Sequence, residues 1–154
     1  MSRHQDIIAQ AHEHWMADDR PLELGRVLYD PLPPAQRPLW AASILRLAST
    51  RIDEIPEIVE LLSIAENRER WGEARALLDA LANRMALENA LQQWVVALAV
   101  KVAQITCNAL EHPQRFPHDV GWKLIADLHE IVNLVNHDAF TAQVWDVLVA
   151  PCRA

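Results

Sequence analysis

The chain has 154 residues, a length that predicts one domain, with 14 basic against 21 acidic side chains for a formal charge of −7. It holds only 3 Gly, all isolated (Gly25, Gly72, Gly121), against 9 Pro and 6 Trp. Three glycines so far apart exclude a dinucleotide fingerprint and a phosphate loop, and they leave a hairpin-rich β fold short of turn residues.

Taken in chain order, apolar residues recur at helical spacing throughout. Ile7, Ile8, Ala11 and Trp15 predict a first helix from about Ser2, its N-cap, to Met16. Asp18-Asp19-Arg20 ends it, and Pro21 opens a short helix through Tyr29. Pro31, Pro33, Pro34 and Pro38 predict an extended connection, because each proline also pushes its predecessor out of the α region. A helix follows on Trp40, Ile44, Leu45, Leu47 and Ala48. Asp53 or Glu54 leads into Pro56 and a helix with Ile58, Val59, Leu62 and Ala65 on its apolar face. A bend is expected near Asn67, then a helix on Trp71, Ala74, Leu77, Leu78 and Leu81.

The longest predicted helix runs from about Met85 to Leu110. Thirteen of the seventeen residues from Trp94 to Leu110 are apolar, which predicts a central helix buried on several sides. His112-Pro113 stops it. A linker through Pro117 leads to a helix from about Asp119 to Asn136 carrying Trp122, Ile125, Ala126, Leu128, Ile131, Val132 and Val135. Asp119 and Asp138 are read as N-caps. The last helix holds Phe140, Val144, Trp145, Leu148 and Val149 and ends at Pro151, leaving Cys152 to Ala154 frayed. The reading is therefore all-α, an irregular bundle of six or seven helices, with a short α-solenoid-like stack of helical hairpins as the alternative. The tryptophans, at spacings of 25, 31, 23, 28 and 23, fall about one per helix and are assigned mainly to the core.

The motif inventory is thin. His129-Glu130-Ile131-Val132-Asn133 resembles a zinc-protease pattern but has Asn where the second ligand should be. None of the seven histidines has Glu three residues before it, which removes the di-iron bundle pattern. His118-Asp119 and His137-Asp138 read as helix entrances. Cys107, His112 and His118 lack structural-zinc spacing. Cys107 and Cys152 are read as free thiols. Pro31 to Pro34 form a Pro-x-x-Pro run, read as a rigid loop. Glu66 and Arg70, four apart, are expected to pair along a solvated helix.

Two candidate sites remain. Asp53, Glu54, Glu57 and Glu60 crowd one helix start and offer an acidic patch to a basic partner. His129 and His137, with Glu130, are the candidates for an internal ligand pocket. The leading expectation is a small non-enzymatic interaction module for an unknown protein partner, in one variant an acidic inhibitor. The alternative is a metal- or small-ligand-binding bundle, with enzyme activity an open question. Acidic balance and scattered arginines point away from nucleic acid and anionic membranes. The longest apolar run, Trp94 to Val100, is short for a membrane span. A polar N-terminus suggests the cytoplasm. No cofactor is expected, and homodimerisation is an option.

Overall fold

The computed structural model describes residues 3–16, 21–84, 87–114 and 120–153. Among them there are eight α-helices and no strand. In order these are α1 (Arg3–Met16), α2 (Pro21–Leu24), α3 (Arg37–Ser49), α4 (Pro56–Glu66), α5 (Ala74–Ala82), α6 (Ala90–Glu111), α7 (Gly121–Val135) and α8 (Asp138–Arg153). A π-helical segment, Gly25–Tyr29, extends α2, and 3₁₀ turns at Pro34–Gln36 and Arg68–Glu73 lead into α3 and α5. The all-α bundle expected from periodicity is what the chain forms, with seven helices of nine residues or more and one single turn. The expected roles of Ser2, Asp18 to Arg20, Met85, Pro117, His118 and Asp119 lie outside the described residues.

α6 is the centre. Its 22 residues pack against α7, α5, α3 and α4, and Val95, Leu98, Ala99, Val102, Ala103 and Ile105 are buried. Alanines at 99 and 103, four apart, let neighbouring helices approach closely. Its start is later than the apolar pattern suggested, at Ala90, because a polar cap interrupts first. Asn89 accepts from the Gln92 amide at 2.8 Å, while the Gln92 side chain accepts from the Glu88 amide at 2.6 Å. The first bond satisfies a helix-end donor, and the second ties the residue before the cap to the first turn. By length and composition α6 is apolar enough to cross a membrane, and here a bundle surrounds it.

Proline chemistry sets the other boundaries, and not always as expected. Ile55 is extended (φ −111°, ψ 117°) before Pro56, which opens α4. Ile55 holds the N-cap position of that helix. The run from Pro31 to Pro38 is not extended throughout. Pro33 is (φ −57°, ψ 141°), but helical turns resume at Pro34, and Pro38 sits in the first turn of α3. A first-turn proline loses no helical hydrogen bond, so the chain tolerates it there. Pro151 likewise does not end α8, which continues to Arg153 with Cys152 packed on the core rather than frayed. Asp138 is the first residue of α8, not its cap: the first helical bond runs from the Thr141 amide to the His137 carbonyl.

Three tryptophans (Trp15, Trp40 and Trp71) are buried, and two donate across elements. Trp40 Nε1 donates to the Leu148 carbonyl at 3.1 Å and Trp71 Nε1 to the Ala65 carbonyl at 3.0 Å. Trp122 departs from the core reading and is 40% exposed. The contact at the start of α7 is made instead by backbone and by Gly121. A Cβ on Gly121 would lie 2.2 Å from the Tyr29 ring, and one on Gly25 would lie 2.9 Å from the Trp122 Cβ. The π segment and α7 therefore touch through two glycines. Arg37, buried, closes the other side of that segment, stacking 4.5 Å over the Tyr29 ring and donating to the Asp30 carbonyl at 3.1 Å.

Candidate functional site

The four carboxylates of the acidic stripe do not form one patch. Glu57 and Glu60 each meet an arginine that flanks α5. Arg84 donates to Glu57 at 2.7 Å, and Arg70 binds Glu60. Arg70 also donates to Glu73 at 2.8 Å and to the Ser63 hydroxyl at 2.8 Å. This arginine holds the Glu73 carboxyl below the usual carboxylate range, through their hydrogen bond first. Glu66 does not pair with Arg70 as expected, because the helix ends at Asn67, whose side chain accepts from the Glu69 amide and starts the 3₁₀ turn. Glu66 instead reaches Arg46 of α3.

Asp53 and Glu54 are placed differently. Both are exposed, and among the described residues neither has an ion-pair partner. They stand at one end of an open groove of about 570 Å³ between α3 and α4. Ile55, Ile58, Val59, Leu62, Ser63 and Glu66 line it from α4 and its entry. These positions follow the i, i+3, i+4, i+7 rule, so a single face of α4 looks into the groove over its whole length. Arg46, Ser49 and Thr50 at the end of α3 form the opposite wall. Val59, expected in the core, is 48% exposed here.

α3 has a second open flank. Leu32, Leu39, Trp40, Val147, Ala150 and Pro151 line a mainly apolar groove of about 600 Å³ against α8. Leu39 is 45% exposed beside it. Pro151 has no N–H to offer the Val147 carbonyl one turn back, so a helical donor is missing where both residues face this groove.

The histidine pair reaches one place by a route that helical spacing does not suggest. In one continuous helix the two rings would lie about 12 Å apart along the axis. The chain turns back instead. Asn136 takes the left-handed conformation (φ 48°, ψ 53°) and its amide donates to the Val132 carbonyl at 2.9 Å, so His137 sits in the corner before α8. His129 and His137 thereby line the same pocket of about 290 Å³, with Trp15, Asn133, Asn136, Asp138 and Thr141. His129 is buried and lies 4.2 Å from the Trp15 ring centroid. Trp15 in turn meets Trp145 at 6.3 Å, and Trp145 meets His12 edge-on at 5.0 Å. This aromatic run ties α1, α7 and α8 together. Glu130 is exposed on α7 and is not among the residues lining the pocket. Among the described residues no group of three or more His, Cys, Asp or Glu side chains is arranged to hold a metal ion.

Two buried titratable groups belong to the core rather than to either site. Asp127 of α7 is 12% exposed and takes a hydrogen bond from Lys101 of α6, 21% exposed, at 3.1 Å. Burial pushes the Asp127 carboxyl up, and Lys101 opposes that. Burial likewise raises the Cys107 thiol, which packs with Ile64 and Ala74 in a small cluster between α4, α5 and α6. Neither Cys107 nor Cys152 forms a disulfide.

The chain matches no family model, no curated protein and no solved structure.

Proposed function

We propose that this chain is a non-enzymatic helical interaction module that receives a protein partner on the flanks of α3. The observation that carries the reading is the pair of open grooves there, each with a large aliphatic side chain left out of the core beside it, Leu39 on one flank and Val59 on the other. Apolar grooves with polar rims are a common setting for helix or peptide docking. The variant in which the partner is basic keeps its main support at Asp53 and Glu54, since Glu57 is paired with Arg84 and Glu60 shares Arg70 with Glu73.

The test uses tagged full-length chain expressed in its native cells, beside Leu39→Asp and Val59→Asp. Both substitutions are on exposed positions, so circular dichroism and melting temperature should hold. A protein recovered in specific excess over a tag-only control, and lost from one of the two variants, supports the reading. Recovery of the same proteins with all three chains, or of none in specific excess, overturns it.

A second reading rests on the convergence of His129 and His137 on one polar pocket. Two imidazoles, two amides, a hydroxyl and a carboxylate suit a small polar ligand with mixed donors and acceptors. Amide NMR with a panel of small polar metabolites tests it. Shifts at Asn133, His137 and Thr141 that disappear in His137→Ala support this reading; unmoved signals across the panel count against it.

A further inference from the structure

We infer that the α3–α4 groove takes an amphipathic helix with Lys or Arg at one end, seated along α4 with that basic end over Asp53 and Glu54. The inference rests on the interaction reading and names the site and the occupant. Shape is the first argument. The groove runs along α4 from Ile55 to Glu66, and its α4 wall is one face of that helix. At 1.5 Å per residue this is a trough of roughly 16 Å, about three helical turns. A partner helix presenting apolar residues at i, i+3 or i+4, and i+7 has the matching repeat. Ile58 and Leu62 form the floor but are themselves buried, at 1% and 6% exposure, so the exposed Val59 is the main apolar anchor.

Charge is the second argument, and it orients the occupant. At the Glu66 end, Arg46 and Glu66 satisfy each other. At the Ile55 end, Asp53 and Glu54 carry two negative charges, with no ion-pair partner among the described residues, against one nearby cation, Arg51, which stacks over the Phe140 ring. Helix dipoles do not decide the sign there, because the C-terminus of α3 and the N-terminus of α4 bring opposite poles to the same end. One end of the trough is thus electronegative and the other locally neutral. A nucleic acid or an acidic segment is repelled there, whereas a basic helix end is drawn in.

The experiment titrates isotopically labelled full-length chain with a capped 14-residue Leu/Lys peptide. The peptide has a leucine stripe at i, i+3, i+4, i+7 and lysines clustered at one end. A scrambled peptide of equal composition and a Glu-for-Lys peptide serve as controls. Amide shifts should fall on Ile52 to Glu54, Val59 and Ser63. Affinity should drop about five-fold in Asp53→Asn/Glu54→Gln, with a matching loss between low and high salt, and by less than two-fold in Glu57→Gln/Glu60→Gln. Val59→Asp should remove the shifts. Equal binding by either control peptide overturns the proposal, as does a shift map on the α3–α8 groove or no binding at all. These outcomes leave the interaction reading to be decided by partner recovery with Leu39→Asp and Val59→Asp, so the two failures are told apart.

Discussion

The helix pairs α6–α7 and α3–α4 are built from similar aliphatic residues and end up doing different work. Between α6 and α7 a run of fully buried aliphatic residues meets, and Asp127 at that seam is held by Lys101, while Leu110, Trp122 and Leu134 stay exposed on the outer sides of the pair. Between α3 and α4 the faces splay on one side, Val59 stays in solvent, and Asp53 and Glu54 stand without ion-pair partners among the described residues. The difference lies in what covers each pair. α6 has helices on several sides, so α7 meets a surface already walled in; α4 has α5 and α6 on one side only. A charge matched from within contributes to a fixed packing, whereas a charge left open beside an apolar trough is available to something else.

The largest effect should come from emptying the closed pair. Leu98→Ala removes a fully buried side chain of α6 and is expected to cost about 2–5 kcal/mol, read by urea unfolding. Its counterpart in the open pair, Val59→Ala, should change stability by less than about 0.5 kcal/mol. If the two cost the same, the contrast fails.

Next comes overpacking where α7 meets the π segment. Gly121→Ala drives a Cβ into the base of a buried ring and should cost about 1–3 kcal/mol by the same assay.

Lys101→Met then tests the matched charge. Leaving Asp127 unpaired should cost about 1–2 kcal/mol at neutral pH. The sign with pH follows from the raised Asp127 carboxyl. A carboxyl with a raised folded pKa contributes its stability below the unfolded value near 4, and loses it as pH rises through the folded value. Without Lys101 the folded value climbs further, so the deficit of Lys101→Met should shrink on acidification toward pH 4. A deficit that grows on acidification would show that Asp127 is not the group left exposed to the change. Glu73 runs the opposite way: its lowered carboxyl contributes above its unfolded value and loses that contribution as pH falls through the folded one.

The smallest perturbation is chemical. Cys107, buried and with its thiol pushed up, should react with a thiol reagent much more slowly than the half-buried Cys152 in the native protein. Equal rates would mean that the α4–α5–α6 cluster opens as readily as the end of α8.

Much of this was legible in the chain. Helical periodicity, scarce glycine and the boundaries at Pro56 and His112 led to the observed architecture, with α6 at its heart. What misled was mostly position within a periodic face. Trp122 and Val59 satisfy the apolar spacing of α7 and α4, yet nothing packs over them fully; a helix face records where apolar residues lie, not how many neighbours arrive. The groove residues Ile58, Val59 and Leu62 escaped notice for the same reason, since their spacing is that of a core face. Asn133 and Thr141 of the histidine pocket carried one signal, their fourth-residue spacing from His129 and His137, and it gained meaning only through the left-handed turn at Asn136.

The sequence by itself determined the helices, their approximate ends and the identity of the central one, because spacing along the chain and proline geometry are local properties. Tertiary structure alone decided that the acidic stripe splits into a paired half, Glu57 and Glu60, and an open half, Asp53 and Glu54. Arg84 and Arg70 lie 27 and 10 residues from their partners, and which carboxylates they reach depends on how α4 and α5 pack. Charge is a property of a residue; whether that charge is spent inside the protein is a property of its neighbours in space.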